Sequence, residues 1–203
     1  MAEIEEIPLF PLRTVLFPRG KLALQIFEKR YLDLVSSSLK NQTGFGITLL
    51  KEGQAEVEPG VLQQLHTVGT LAYIVDWDQL DNGLLGITVE GDCKFAIQDY
   101  WQTDSGLYMA RVSYSEQDMP RSRKIPVGEE LSGLTELLHV LEEHPVIQQL
   151  ELDIDYQNLR DLGWRLSELI PAALEIKQEL LELDDPFERI RLVERSIQHL
   201  IGD

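Results

Sequence analysis

Cysteine is almost missing. Cys93 is the only one in 203 residues, so no intrachain disulfide can form and packing alone must hold the chain together. A lone thiol fits a reducing compartment. Positive charge is the second shortage: 18 Lys and Arg stand against 35 Asp and Glu, for a net charge of -17. The carboxylates run through both halves of the chain and do not form a tail. Such a field repels a polyanion, and neutralising phosphates needs clustered cations. The one basic cluster, Arg121, Arg123 and Lys124, is too small to reverse this and reads as a solvated linker. Nucleic acid is therefore excluded as a partner. No apolar run approaches the roughly 20 residues of a membrane helix. The acidic start, MAEIEEI, has none of the basic-then-apolar order of a signal peptide. These absences predict a cytoplasmic protein with no membrane partner.

Signatures of catalysis are also missing. A nucleotide-binding loop needs GxxxxGK[ST], in which backbone amides and a lysine hold phosphate. The nearest approach, Gly86 to Cys93, puts Asp92 and Cys93 where the Lys and hydroxyl belong, and an aspartate there repels phosphate. It reads as a strand running into a turn. His66, His139, His144 and His199 form no ligand cluster, since even the five-residue spacing of His139 and His144 puts them on different helical faces. Ser36, Ser37 and Ser38 have no histidine near them in sequence. The carboxylates are too many for any pair to stand out, and Cys93 reads as a small buried residue. The expectation is no enzyme, with no catalytic, cofactor-binding or metal-binding residues and no cofactor.

What is present is an ordinary globular composition, 43% hydrophobic and 26% charged, in a chain long enough to bury a real core. Residues Ile7 to Val35 carry Pro8, Pro11 and Pro18 in an apolar run, which rules out a helix or a regular central strand there. The run predicts a short extended piece, a strand over Thr14 to Phe17, a turn at Pro18-Arg19-Gly20 and a strand over Lys21 to Leu24. A helix follows from about Ile26 to Lys40, with Phe27, Tyr31, Leu34 and Val35 at helical spacing. Phe10, Phe17 and Phe27 read as core. Further strands are predicted at Phe45 to Leu50, Val68 to Asp76, Leu84 to Glu90, Lys94 to Tyr100 and Tyr108 to Tyr114. A polar loop from Lys51 to Gly60 and turns at Asp81-Asn82-Gly83, Gly91-Asp92 and Ser105-Gly106 separate them. Short strands at about ten-residue intervals indicate a small barrel or folded sheet.

The period changes after Met119. Residues 120–128 read as a linker, and from Glu129 the pattern is helical. One stripe holds Leu131, Leu134, Leu138 and Leu141. A second holds Leu159, Leu162, Leu166, Leu169 and Ile170. A third helix covers about Leu174 to Leu183. Asp184-Asp185-Pro186 then signals a helix start, and Phe187, Ile190, Val193, Ile197 and Ile201 form the last stripe. Trp164 points away from its helix's stripe and is expected to pack a second face. The chain thus divides into a β-rich part over 1–119, a linker over 120–128 and a helical part over 129–203.

Several of these segments, taken together, resemble the Lon protease N-terminal domain family. The opening matches at Pro8 to Leu12, Val15 to Pro18, Gly20 and Ile26 to Tyr31. VGTLAYI, DNGLLGITVEGDCKFAI and IKQELLELDDPFERIRLVE extend the likeness over nearly the whole chain. Departures are Arg19, where the family pattern has a second Gly, Leu84 in place of an Arg, and Lys94-Phe95 for an Arg-Phe pair. The resemblance implies an α+β fold: a PUA-like β pseudo-barrel with one packed helix, followed by a C-terminal helical bundle. It implies a stand-alone bacterial form without the ATPase and Ser-Lys peptidase modules that full Lon proteases add. It also implies a non-catalytic module binding unfolded polypeptide or a protease partner in protein quality control. The alternative class is a small-ligand or RNA-binding PUA-like protein, which the charge opposes. Candidate peptide-contact residues are Tyr73, Trp77, Tyr100 and Trp101, which fall in or beside strand ends; packing in the sheet or at its rim is the competing reading of the same four.

Overall fold

The computed structural model describes residues 4–51, 62–115 and 123–202, the side chains of the last two excepted. The loop expected over Lys51 to Gly60 falls outside the described residues beyond Lys51, as do Arg121, the start of the linker and the side chain of Ile201.

Six strands form one sheet: β1 (Ile4–Leu12), β2 (Lys21–Ile26), β3 (Phe45–Leu50), β4 (Leu65–Gln79), β5 (Leu85–Gln102) and β6 (Tyr108–Tyr114). Their order is β2-β5-β4-β3-β1-β6, and β6 pairs with β5 as well. Five strands therefore close on themselves into a barrel, which leaves no free edge within the ring. β1 and β3 run parallel, with Leu9 opposite Gly46. β2 stands outside the ring, paired with β5 from Lys21↔Glu90 to Ile26↔Leu85.

Closure depends on β5. Its first half pairs with β2 and the end of β4, and its second half with β6. The turn expected at Gly91-Asp92 is instead a bend inside this one strand, where the β4 register slips between Thr70 and Ala72. A Cβ on Gly91 would lie 2.4 Å from the Phe17 carbonyl oxygen, so glycine here serves close backbone approach within a bulge. The hairpin turns at Gly83 and Gly106 are as expected, with φ of 80° and 78°, values that L side chains resist.

Three expectations for the opening segment fail. Pro8 and Pro11 do not keep the run out of a central strand, since both lie in β1 between β3 and β6; β6 pairs along Ile4 to Leu9 and β3 along Leu9 to Leu12, so each proline has a ladder partner on one side only and its missing N–H is tolerated. Thr14 to Phe17 is not a strand. Its carbonyls are used outside any ladder: the Thr70 hydroxyl donates to the Leu16 carbonyl at 2.6 Å, the Gly20 N–H closes a turn on the Phe17 carbonyl at 2.9 Å, and Pro18 has no N–H to offer. Phe27 is not core but 70% exposed. β2 continues to the buried Ile26, so strand alternation turns Phe27 outward, and α1 (Lys29–Asn41) begins only after it. Tyr31, Leu34 and Val35 do pack inward, and the Tyr31 ring stacks on Phe10 at 3.9 Å.

The helices are α2 (Ser132–Glu142), α3 (Pro145–Gln148), α4 (Leu159–Leu169), α5 (Leu174–Glu182) and α6 (Pro186–Gly202). Asp185 caps α6 as its sequence suggests, accepting from the Phe187 N–H at 2.8 Å, with Pro186 at the first position. Phe187 itself is a miss: it is 51% exposed while Ile190 and Val193 are buried. Leu138, Leu159, Leu162 and Leu166 are wholly buried, as is Phe17 from the opening segment in the same cluster. Trp164 is buried too, with its ring 5.8 Å from that of Phe17. Barrel and helices therefore share a core.

Candidate functional site

Tyr73 and Trp77 lie on β4 beyond Ala72, its contact with β3 at this end. From there β4, β5 and β2 continue as a three-stranded ribbon. Trp77 is opposite Ile87, and Ile87 is opposite Leu24, so the three share a face. Ile87 is buried in the core, whereas Trp77 is 61% exposed at its rim. Tyr73 is exposed, and partial burial followed by the Asp92 charge pushes its hydroxyl above the ordinary tyrosine value. Tyr100 and Trp101 sit on the far side of the Gly91 bend, paired with β6. As neighbours in a strand they face opposite ways. The Tyr100 hydroxyl donates to the Gln63 carbonyl at 3.1 Å. The Trp101 ring lies 5.5 Å from the Arg111 guanidinium, which is itself paired with Glu6. The four candidates thus divide between two regions, and none of the described depressions holds them all.

Two depressions touch these residues. One, of about 470 Å³, is lined by Glu5, Glu6, Ser37, Tyr73, Asp92 and Tyr114 among others. Burial and the hydrogen bond that the Tyr114 hydroxyl donates to the Glu5 carboxylate push that hydroxyl well above its usual range. The lining comes from β1, α1, β4, β5 and β6, so nothing local in the sequence announces it. Ser37 and Ser38 are there, but no histidine lines it, and the Ser37 hydroxyl accepts from Asn41. Among the described residues, neither serine meets a histidine base here. The other depression, about 230 Å³, lies on the ribbon between Ala23, Asp76, Trp77, Asp78, Leu80 and Gly86. Among the described residues no three His, Cys, Asp or Glu side chains converge as metal ligands, and no helix is long and apolar enough to cross a membrane.

The most buried polar groups serve the join between barrel and helices. Lys94, 3% exposed, reaches from β5 to donate to the Leu181 and Leu183 carbonyls at 3.2 and 2.8 Å and to pair with Asp184 at 2.7 Å. Arg189 donates to the Leu180 carbonyl at 3.1 Å and to that of Leu183, and its guanidinium lies 3.2 Å from the Trp164 ring centroid. Both cations satisfy carbonyls that the end of α5 leaves without helical partners. Arg165, fully buried, donates to the Pro18 and Arg19 carbonyls and pairs with Glu168 at 2.6 Å. Burial raises the Glu168 carboxyl above its ordinary value, against the opposing pull of Arg165. Arg19 holds φ at 60°, a left-handed conformation that favours glycine. Its N–H donates to the Gly91 carbonyl at 2.6 Å, and its guanidinium pairs with Asp153 and Asp161 at 2.7 and 3.4 Å. The block LELDDPFERI thus acts as an interlock, through Leu181, Leu183, Asp184 and Arg189.

Comparison with known proteins places this architecture. The profile of the ATP-dependent protease La (LON) substrate-binding domain matches residues 6–199. The Lon protease of Cytophaga hutchinsonii is 31% identical over 96% of this chain, which spans 24% of that protein. The Lon protease of Aquifex aeolicus is 27% identical over 99% of the chain and is matched over 26% of its own length. The chain therefore spans about a quarter of these relatives. Among solved structures, a Lon N-terminal domain protein from Xanthomonas campestris superposes with a TM-score of 0.74 at 29% identity, covering 94% of this chain and 98% of that one. The N-terminal domain of Mycobacterium avium complex Lon protease gives 0.61 at 16% identity, covering 93% and 96%, a likeness of fold alone. The chain belongs to the Lon substrate-binding domain family.

Proposed function

We propose that the protein is a non-catalytic polypeptide-binding module, recognising unfolded protein or a protease partner in protein quality control in the cytoplasm. The supporting observation is family membership over residues 6–199 together with a Trp left 61% exposed at the rim of a closed barrel. Large aromatics at a rim supply contact area at low entropic cost, and tryptophan dominates many binding surfaces. Trp77 and Tyr73 are the leading contact residues; Tyr100 and Trp101 form a second, more occupied patch. The family is the substrate-binding domain of Lon proteases, and that role carries over to this chain.

The test is direct binding of a permanently unfolded polypeptide, such as reduced and carboxymethylated α-lactalbumin, followed by calorimetry beside its native form. Saturable binding of the unfolded form alone is the expected outcome. Equal binding of both forms, or of neither, rejects the reading.

A further inference from the structure

The ribbon that carries Trp77 has two outer edges, and they are finished differently. On the β4 edge, the Trp77 N–H is taken by the Asp76 carboxylate at 2.9 Å and the Gln79 N–H by the Asp78 carboxylate at 2.7 Å. These carboxylates occupy donors that an incoming strand would use, a known way of blunting an edge. The β2 edge has no such device. Among the described residues β2 pairs with β5 alone, and no turn or loop bond engages the backbone of residues 21–26. The side chains at its two ends are held aside: Lys21 donates to the Glu151 carbonyl and Gln25 accepts from Asn82.

The two faces beside that edge differ in chemistry. One face shows the rows Leu22–Val89–Ile74 and Leu24–Ile87–Trp77. The other shows Ala23–Thr88–Asp76 and Gln25–Gly86–Asp78. The ribbon's carboxylates are Asp76, Asp78, Asp81 and Glu90, and Lys21 is its sole cation. The depression on the second face has a floor of small residues, with Leu80 packed over Gly86.

From this we infer that β2 is a strand-addition edge for an extended polypeptide with alternating apolar and basic residues. The occupant's amides complete the ladder on β2. Its apolar side chains lie beside Leu22 and Leu24, on the Trp77 face. Its Lys or Arg side chains lie on the Ala23 and Thr88 face, in the field of Asp76 and Asp78 two strands further in. The inference rests on the polypeptide-binding reading and names the class of segment bound. A second copy of the chain is a poor occupant, because pairing β2 with itself brings two acidic ribbons together.

The probe is an acetylated, amidated Leu-Lys alternating octapeptide, read by fluorescence anisotropy. Saturable binding is expected, at least about tenfold tighter than for a peptide of the same composition in the order LLKKLLKK, and tighter still than for a Leu-Glu octapeptide. N-methylation of every second residue in one phase should abolish binding, and in the other phase should change it less than about twofold, because alternate amides of an added strand face away. D76N/D78N should weaken binding about threefold or more and reduce its salt dependence. Equal loss from both N-methyl series, equal binding of the scrambled or acidic peptide, or a concentration-dependent dimer that the octapeptide does not disrupt overturns the inference. If those results come while carboxymethylated α-lactalbumin still binds, the edge assignment alone is wrong; if that polypeptide fails to bind, the broader reading is wrong.

Discussion

The join between barrel and helices and the Trp77 ribbon are opposite solutions in one chain. At the join, three cations are stripped of water and given carbonyls or a carboxylate: Arg165, Arg189 and Lys94 are all at most 3% exposed. On the ribbon a tryptophan is left 61% exposed and a strand edge is unpaired among the described residues. A buried charge network is strongly destabilised when one member is removed, whereas an exposed aromatic contributes little to folding. The difference teaches where stability and recognition reside, and mutation can test each side separately.

The largest effect should come from Arg165→Met. It leaves Glu168 buried without its partner and the Pro18 and Arg19 carbonyls without a donor. Urea unfolding should show a loss on the order of 4 kcal/mol. A loss under about 1 kcal/mol would mean the join is not cooperative with the barrel. Gly91→Ala comes next, since its Cβ would meet a backbone oxygen at 2.4 Å and overpacking of this kind costs about 1–3 kcal/mol. Thermal unfolding should register it as a fall in Tm.

Tyr31 offers a test by pH. Burial pushes its hydroxyl from 10.0 up to about 12. A raised folded-state value means that the stability it contributes is complete below pH 10 and is lost as the pH climbs toward 12. Tyr31→Phe should remove that part of the alkaline loss, so the wild-type and variant stability curves should converge or cross between pH 10 and 12. Glu168→Gln addresses the join in the same manner. The folded-state carboxyl value lies above the ordinary 4.5, so protonation stabilises the fold as pH falls through that raised value toward 4.5. The variant's denaturant midpoint should lack this rise relative to wild type. The smallest stability effect belongs to Trp77→Ala, within about 0.5 kcal/mol in urea, with roughly tenfold weaker binding of unfolded polypeptide. A large stability loss here would move Trp77 from the recognition side of the comparison to the structural side.

Much of the architecture was legible because it depends on local periodicity and turn chemistry. Phe45–Leu50 and Tyr108–Tyr114 are strands with the boundaries expected from their runs, and the Asp185-Pro186 cap is where its sequence signal stands. Errors came where a tertiary contact overrode a local rule. Gly91 looked like a turn because glycine in a strand is ambiguous between turn and bulge, and the Phe17 carbonyl decides between them only in three dimensions. Phe27 looked like the first residue of a helical stripe, but β2 ran one residue past the expected switch of period and strand alternation turned Phe27 out. The candidate site was less legible still. Of the four aromatics named, Trp77 and Trp101 are chemically alike in sequence, yet one stands at a rim and the other is capped by Arg111.

The sequence by itself determined the absence of a disulfide, the strong acidity, the family and the succession of strands and helices, because composition and short-range spacing carry that information. Tertiary structure alone decided that β5 closes a barrel and that Arg19 takes a left-handed turn between two acids. It also decided that one edge of the ribbon is blunted by aspartates while the other is open. These outcomes depend on which distant backbones meet, and pairing between strands far apart in the chain leaves no mark on the spacing of either.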